Sequence, residues 1–351
     1  MSAFNLYNYG TGNGEHNFGI ILPEDQTPEQ RAAMDAINAS IPAFSQLMFG
    51  AGELPPKALL TSIQALAIKA MAEWIPAEIL FDTQIDGTPC KLFKNIQQNS
   101  GSCVGTSMTK MALDQSLYEA FFLQDKDRII FPNTLYHYAN GRTASGIRRP
   151  GDGSMGPGQI KAAMTDGFVI YNANGLPAMQ VGNEIELSGQ DELHYSIRER
   201  IPSHLFAEGQ KHKLGSAVLV DSLEAAKKVI ASGRPIYFCS DWGAVPDSTD
   251  TTAPMVNGVR FFKRRGGTWQ HCWRIDGYWM NHPQLGNIWH LDNNWSSAHG
   301  SDPTTGTSFG FYVPEDVIDY IIRGRQAWGL LDLEGFEDQL RKRSAFWEYV
   351  Y

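Results

Sequence analysis

Gln97-Gln98-Asn99-Ser100-Gly101-Ser102-Cys103-Val104 is the stretch on which the reading of this 351-residue chain turns. A cysteine follows a Gly-Ser pair and opens an apolar run from Val104 to about Leu123, whose spacing predicts an amphipathic helix. The first turn of a helix presents main-chain N–H groups and the positive end of the helix dipole, so a thiol there is tilted toward the thiolate. Cys90 and Cys239 have no such setting and read as inert.

A thiolate nucleophile needs a base to hold its proton, and the base needs a partner that orients it. His271 lies in Gln270-His271-Cys272-Trp273-Arg274-Ile275-Asp276-Gly277-Tyr278, a strand-like run. Asn293 lies in Trp289-His290-Leu291-Asp292-Asn293-Asn294-Trp295, which reads as the next strand. A turn around Asn281-His282-Pro283 would join the two as a hairpin and set His271 beside Asn293. Asparagine suits that place, because it accepts from an imidazole without neutralising an imidazolium paired with a thiolate.

Outward from these segments the chain changes texture. Residues 1 to about 26 are rich in Gly and Asn and read as an extended arm. Thr27-Pro28-Glu29-Gln30 predicts a helix N-terminus, followed by Met34, Ile37, Ile41 and Phe44 on one face. A second helix is expected from about Pro55-Pro56, with Leu59, Ile63, Leu66, Ile68, Met71 and Trp74 as its stripe. Further on, a helix is predicted over Gln159–Asp166 with Gly167 as its stop, and another over Ser222–Ala231 with Ser222 as its N-cap. Pro235 to Cys239 reads as a strand, and Gly258 to about Leu333 as antiparallel strands. Helices first and strands later predict an α+β fold.

These motifs together resemble the papain family of cysteine peptidases, in a bacterial or phage-type form without a signal peptide. Gln97, six residues before Cys103, falls where the family keeps its oxyanion-hole glutamine. Gly101-Ser102-Cys103 matches the segment ending in the nucleophile, and His271 with Gly277-Tyr278 matches the strand of the catalytic histidine. Asn293-Asn294-Trp295 is similar to the family's Asn-Ser-Trp segment, where the tryptophan shields the His–Asn bond. The resemblance implies a two-lobed fold with a helical lobe, an antiparallel sheet or barrel lobe and a cleft between them. It also implies a Cys103–His271–Asn293 triad with Gln97 in the oxyanion hole; Gln98 is the adjacent alternative. Gly101, Ser102, Gly153, Ser154, Met155, Gln270 and Trp295 would line the substrate site. The implied reaction is hydrolysis of peptide or isopeptide bonds, with no cofactor and no metal.

The chain departs from the family in three ways. Val104 replaces the aromatic residue after the nucleophile, and Ser100 stands where secreted members carry a disulfide cysteine. His271 and Asn293 lie 168 and 190 residues after Cys103, beyond the roughly 130–150 usual for the family. Insertions are therefore expected around Asn172–Gly215 and in the turn between His271 and Asn293. The expected division is an N-terminal arm and helical hairpin over 1–77, resembling the family's pro-segment in position only or serving for docking, a peptidase domain over 78–333 and an aromatic-rich tail over 334–351.

Composition excludes other classes. With 29 Lys+Arg against 38 Asp+Glu, the net charge of −9 argues against a nucleic-acid partner. No run of about 18 apolar residues predicts a membrane span, and the first residues carry no basic-then-apolar leader, so a cytoplasmic location is expected. Four dispersed cysteines without a CxxC pair predict reduced thiols. Gly151-Asp152-Gly153-Ser154-Met155-Gly156 spells a dinucleotide motif, but it follows Arg148-Arg149-Pro150 rather than an apolar strand. His282, His290, His299 and Asp292 lack metal-ligand spacing. The arm and the tail ending Phe346-Trp347-Glu348-Tyr349-Val350-Tyr351 leave a second reading: a papain-fold docking component of a larger assembly, such as a virus or phage particle, with little turnover. On either reading these ends would contact protein partners.

Overall fold

Thr27 caps its helix as the sequence predicts. Its hydroxyl accepts from the Gln30 N–H while the Gln30 side chain accepts from the Thr27 N–H, which starts the helix Pro28–Ser40. This computed structural model describes residues 10–11, 15–17, 20–44, 54–60, 75–85, 88–122, 130–244, 252–295 and 310–331. The expected apolar stripe beyond Leu60 and the aromatic tail lie outside the described residues.

Two layers meet at the helix Cys103–Phe122. On one side are the helices Thr134–Ala144 and Gly156–Thr165, with Pro28–Ser40 packed beside the latter. On the other is a nine-stranded sheet. Its spine is the sixteen-residue strand Gly267–His282, antiparallel to Ile236–Gly243 and then to the hairpin partner Gly286–Asp292. Ala327–Leu331 and Ser216–Leu219 extend it on one flank, and Gly310–Pro314 on the other. The helices Leu223–Ala231 and Glu315–Arg323 pack on this lobe, whose core is aromatic: Trp242, Trp269, Trp273, Trp289 and Phe311 are all buried. The architecture is α+β with a helical lobe and an antiparallel sheet lobe, preceded by a helical N-terminal extension.

Two local expectations are corrected. Lys57–Leu59 is not the start of a helix but a strand, antiparallel to Gly277–Trp279 of the long strand, and Ala58 and Leu60 enter the sheet core. Residues 57–60, assigned by sequence to the extension, thus share a core with the sheet. The helix Cys103–Phe122 is not amphipathic either: its described side chains from Cys103 to Glu119 are all buried. Its polar residues are satisfied internally, as when Ser107 donates to the Cys272 carbonyl and Thr109 to the Gly105 carbonyl. The helix Gly156–Thr165 starts three residues earlier than predicted, and Gly167 ends it at φ +74°. A β-carbon there would meet the Gly209 carbonyl oxygen at 2.1 Å, so only glycine fits.

His137 on the helix Thr134–Ala144 is fully buried and stacked on Phe168 at 4.6 Å. Burial pulls its imidazole down to about 3. Its neutral form therefore contributes stability that is complete above about pH 6.5 and is lost as the pH falls toward 3. Between pH 6 and 4 the folded protein is expected to lose about 2 kcal/mol through this group. Urea titrations at each pH should show that loss shrink in His137→Gln.

Candidate active site

The hairpin predicted from the sequence brings His271 and Asn293 together. Arg274 pairs with Asp292 across the two strands, so Asn293 falls on the same face as His271 one pleat away. His271 Nε2 lies 2.8 Å from Asn293 Oδ1, and both residues are completely buried. Trp295 stacks on the imidazole at 4.4 Å and Trp273 meets it edge-on at 4.8 Å, which keeps water from the His–Asn bond. Asn293 Oδ1 also accepts from the Asn294 N–H at 2.7 Å.

Cys103 is the first residue of its helix, with Ser102 before it: the Ser102 carbonyl accepts from Thr106 N–H at 3.0 Å. Asn294, next to Asn293, bridges the helix opened by Cys103 and the strand of His271. Its Nδ2 donates to Ser107 Oγ at 2.7 Å and lies within 3.5 Å of the Cys103 carbonyl and 3.4 Å of the Cys272 carbonyl. Cys103 is wholly buried, and burial pushes its thiol well above the ordinary range; the charges of Cys239 and Asp152 add to this. The N–H groups of Cys272 and Val104 pull the other way without prevailing. For this thiol burial thus outweighs the placement at the helix terminus.

The loop before Cys103 is gripped by carboxylates that sequence reading missed. Asp152 Oδ1 accepts from the Gly101 N–H at 2.8 Å, and a β-carbon on Gly101 would strike the Asp152 side chain at 2.7 Å. Glu192, from the insertion expected around Asn172–Gly215, accepts from the Asn99 N–H at 3.2 Å; burial pushes its carboxyl up to about 7. Gln97 and Gln98 take different roles here. Gln97 sits in the short strand Ile96–Gln97, half-buried, and its amide donates to Asn99 Oδ1 at 3.0 Å. Gln98 is buried: its N–H donates to the Asn294 carbonyl at 3.1 Å, and its amide donates to the Ser100 carbonyl at 3.0 Å. The sequence offered the doublet but not which member turns inward.

Of the remaining residues named from the sequence, Ser154, Met155 and Gln270 meet described residues of the N-terminal segment. Glu15–Asn17 runs parallel to the long strand, with Asn17 opposite Gln270. The Gln270 amide donates to Asp25 Oδ2 at 3.1 Å. On the opposite lobe Ile20 bridges to Ser154, and the Ile21 N–H donates to the Ser154 carbonyl at 2.8 Å. Ile20 shares a buried cluster with Cys103, and Ile21 packs against Met155, Ile147 and Met34. Gly153, at φ +83°, donates its N–H to the Gly101 carbonyl at 3.1 Å. Residues 15–17 thus pair with the strand of His271, and residues 20–21 contact the segment around Ser154 on the other lobe, with Ile20 in the cluster that holds Cys103.

This is the papain-like fold. The chain is similar to xylellain, a cysteine protease from Xylella fastidiosa, with a TM-score of 0.51 and 15% identity over 91% of this chain and 97% of that one. It also aligns with the proform of the ragweed pollen cysteine protease Amb a 11, at a TM-score of 0.46 and 11% identity over 86% and 74% of the two chains. For procathepsin B of Trypanosoma congolense the values are 0.46, 11%, 86% and 89%. The sequence matches no protein-family model and no curated protein.

The metal-like residues resolve into other pairings. His290 Nδ1 lies 2.6 Å from Asp276 Oδ1, and Asp292 is paired with Lys110 and Arg274; His299 lies outside the described residues. Among the described residues no helix is long and apolar enough to cross a membrane.

Proposed function

We propose that this chain is a papain-like cysteine peptidase held in a covered form by its own N-terminal strap, residues 15–17 and 20–22. The observation that carries the reading is the His271–Asn293 bond of 2.8 Å, buried under Trp295 on the strand that faces the helix opened by Cys103. With Nε2 committed to Asn293, Nδ1 is the nitrogen that takes the Cys103 proton. The thiolate then attacks the acyl carbonyl of a peptide or isopeptide bond, forming a C–S bond as electrons move onto oxygen. The oxyanion is held by the Cys103 N–H and a glutamine amide; Gln98 is favoured over Gln97 because it is the buried member of the pair. His271 delivers its proton to the leaving amine, and water, with His271 as base, hydrolyses the thioester.

The strap supports a latent rather than an empty cleft. Its main chain bonds to Ser154 on one lobe and pairs at Gln270 on the other, the same positions the family resemblance assigns to substrate. The pairings at Ser154 and at Gln270 are both parallel.

The test is incubation of the full chain carrying Ile20→Asp, which displaces the strap, with a peptide aldehyde and with a mixed peptide pool. The expected result is a Cys103 adduct by intact mass and new peptide termini, both lost in Cys103→Ala. An uncovered Cys103 that forms no adduct and cuts nothing would return the chain to the docking reading.

A further inference from the structure

We propose that Lys110 is a positioning residue for Asn293, the centre of a buried ionic knot that sets the orientation of the imidazole's partner. This inference rests on the peptidase reading above. Lys110 lies two turns beyond Cys103 on the same helix, with only 4% of its side chain exposed. An ammonium has three N–H donors, and Lys110 Nζ has three acceptors in range. They are Asn95 Oδ1 at 2.7 Å, the Asn293 carbonyl at 2.8 Å and the Asp292 carboxylate at 2.8–3.0 Å. Arg274, three residues after His271, grips the same Asp292 through two nitrogens, with Nε 2.7 Å from Oδ2, and reaches Asp114 on the Lys110 helix.

Two cations and two carboxylates thus tie together the helix of Cys103, the strand of His271, the strand end of Asn293 and the segment leading to Gln98. The carbonyl that Lys110 holds belongs to the peptide unit whose N–H, from Asn294, donates to Asn293 Oδ1 at 2.7 Å, so fixing that plane holds the oxygen that meets His271. Lys110→Met removes one partner of a buried ionic cluster and costs stability, a loss that Arg274 limits by still pairing with Asp292. A methionine at position 110 could fill the space but could not bond the Asn293 carbonyl. Burial pulls the Lys110 ammonium down to about 8 against the favourable pull of Asp292, and Asp292 is held below its ordinary range by Arg274 and Lys110. The bond to Asn293 is therefore charged at neutral pH.

The experiment is a double-mutant cycle in the full chain carrying Ile20→Asp, with Lys110→Met, Asn293→Ala and both together. The readout is the iodoacetamide alkylation rate of Cys103 at about pH 5.5, where only a thiolate paired with His271 reacts appreciably. Lys110→Met should slow alkylation by about 10–100-fold when Asn293 is present and by less than about threefold when it is absent. Lys110→Gln, whose amide keeps donors toward Asp292 and the Asn293 carbonyl, should recover part of the loss. Losses that multiply independently would overturn the inference, as would an unchanged rate in folded Lys110→Met or failure of both position-110 variants to fold. A parent whose labelling ignores His271→Ala would instead remove the peptidase reading, and this inference with it.

Discussion

In the full chain carrying Ile20→Asp, His271→Ala is expected to slow alkylation of Cys103 by about 10³-fold at pH 5.5, and peptide hydrolysis by about as much or more. The size follows from the proton. A solitary cysteine with a pKa of about 8.5 is roughly one part in 10³ thiolate at that pH, whereas a thiol that has passed its proton to an imidazole is thiolate throughout. Cys103 has two N–H groups drawing its pKa down, from Cys272 and Val104, and neither overcomes burial. The missing contribution is His271, which is held by Asn293 at 2.8 Å and wedged between Trp273 and Trp295. Asn293→Ala should cost less than removal of the base itself, because the two tryptophans still confine the ring. Rates from intact mass spectra, with denatured protein as the reference for intrinsic thiol reactivity, check both variants.

The second large effect is uncovering. The unmodified chain is expected to label at Cys103 about 10²-fold more slowly than Ile20→Asp at neutral pH. Ile20 is 1% exposed and packs in the cluster that contains Cys103. Its burial is worth about 2–3 kcal/mol, and a carboxylate in its place adds a desolvation cost of at least a further 1–3 kcal/mol. Each 1.4 kcal/mol is a factor of ten in the population of the uncovered form. The substitution leaves the helix Pro28–Ser40 and the strand Lys57–Leu59 in place, which deletion of the whole extension would not, since Lys57–Leu59 is a strand of the main sheet. Equal labelling rates in the two proteins, with both folded, would mean that the strap does not control access.

The outline of the fold was legible where the determining interactions are local. Thr27 and Gln30 are three residues apart and their capping box can be read directly; Ser222 and Gly167 mark helix ends in the same way. The hairpin through Asn281, at φ +57°, could be read from Asn281-His282-Pro283, but the extra length expected in its turn is not there: the turn is tight between His282 and Gly286, and the length lies in the strands. What sequence could not show is long-range. Lys57–Leu59 has helical spacing with the residues after it, and only its pairing with Gly277–Trp279 makes it a strand. The polar residues of the Cys103 helix suggested a wet face, yet Ser107, Lys110 and Asp114 find partners 160 or more residues away. Glu192 grips Asn99 from 93 residues along the chain, a contact that no local pattern announces. The choice between Gln97 and Gln98 depends on which one points inward, and six-residue spacing carries no information about that.

The measurement that tests the account most directly is the pH dependence of Cys103 alkylation in Ile20→Asp, followed from about pH 4 to 10 by intact mass. A thiolate–imidazolium pair predicts a rate that is already high near pH 5 and roughly level to pH 8, with the acid plateau abolished by His271→Ala. A rate that instead climbs tenfold per pH unit up to about 8.5, with the same curve in His271→Ala, would contradict it.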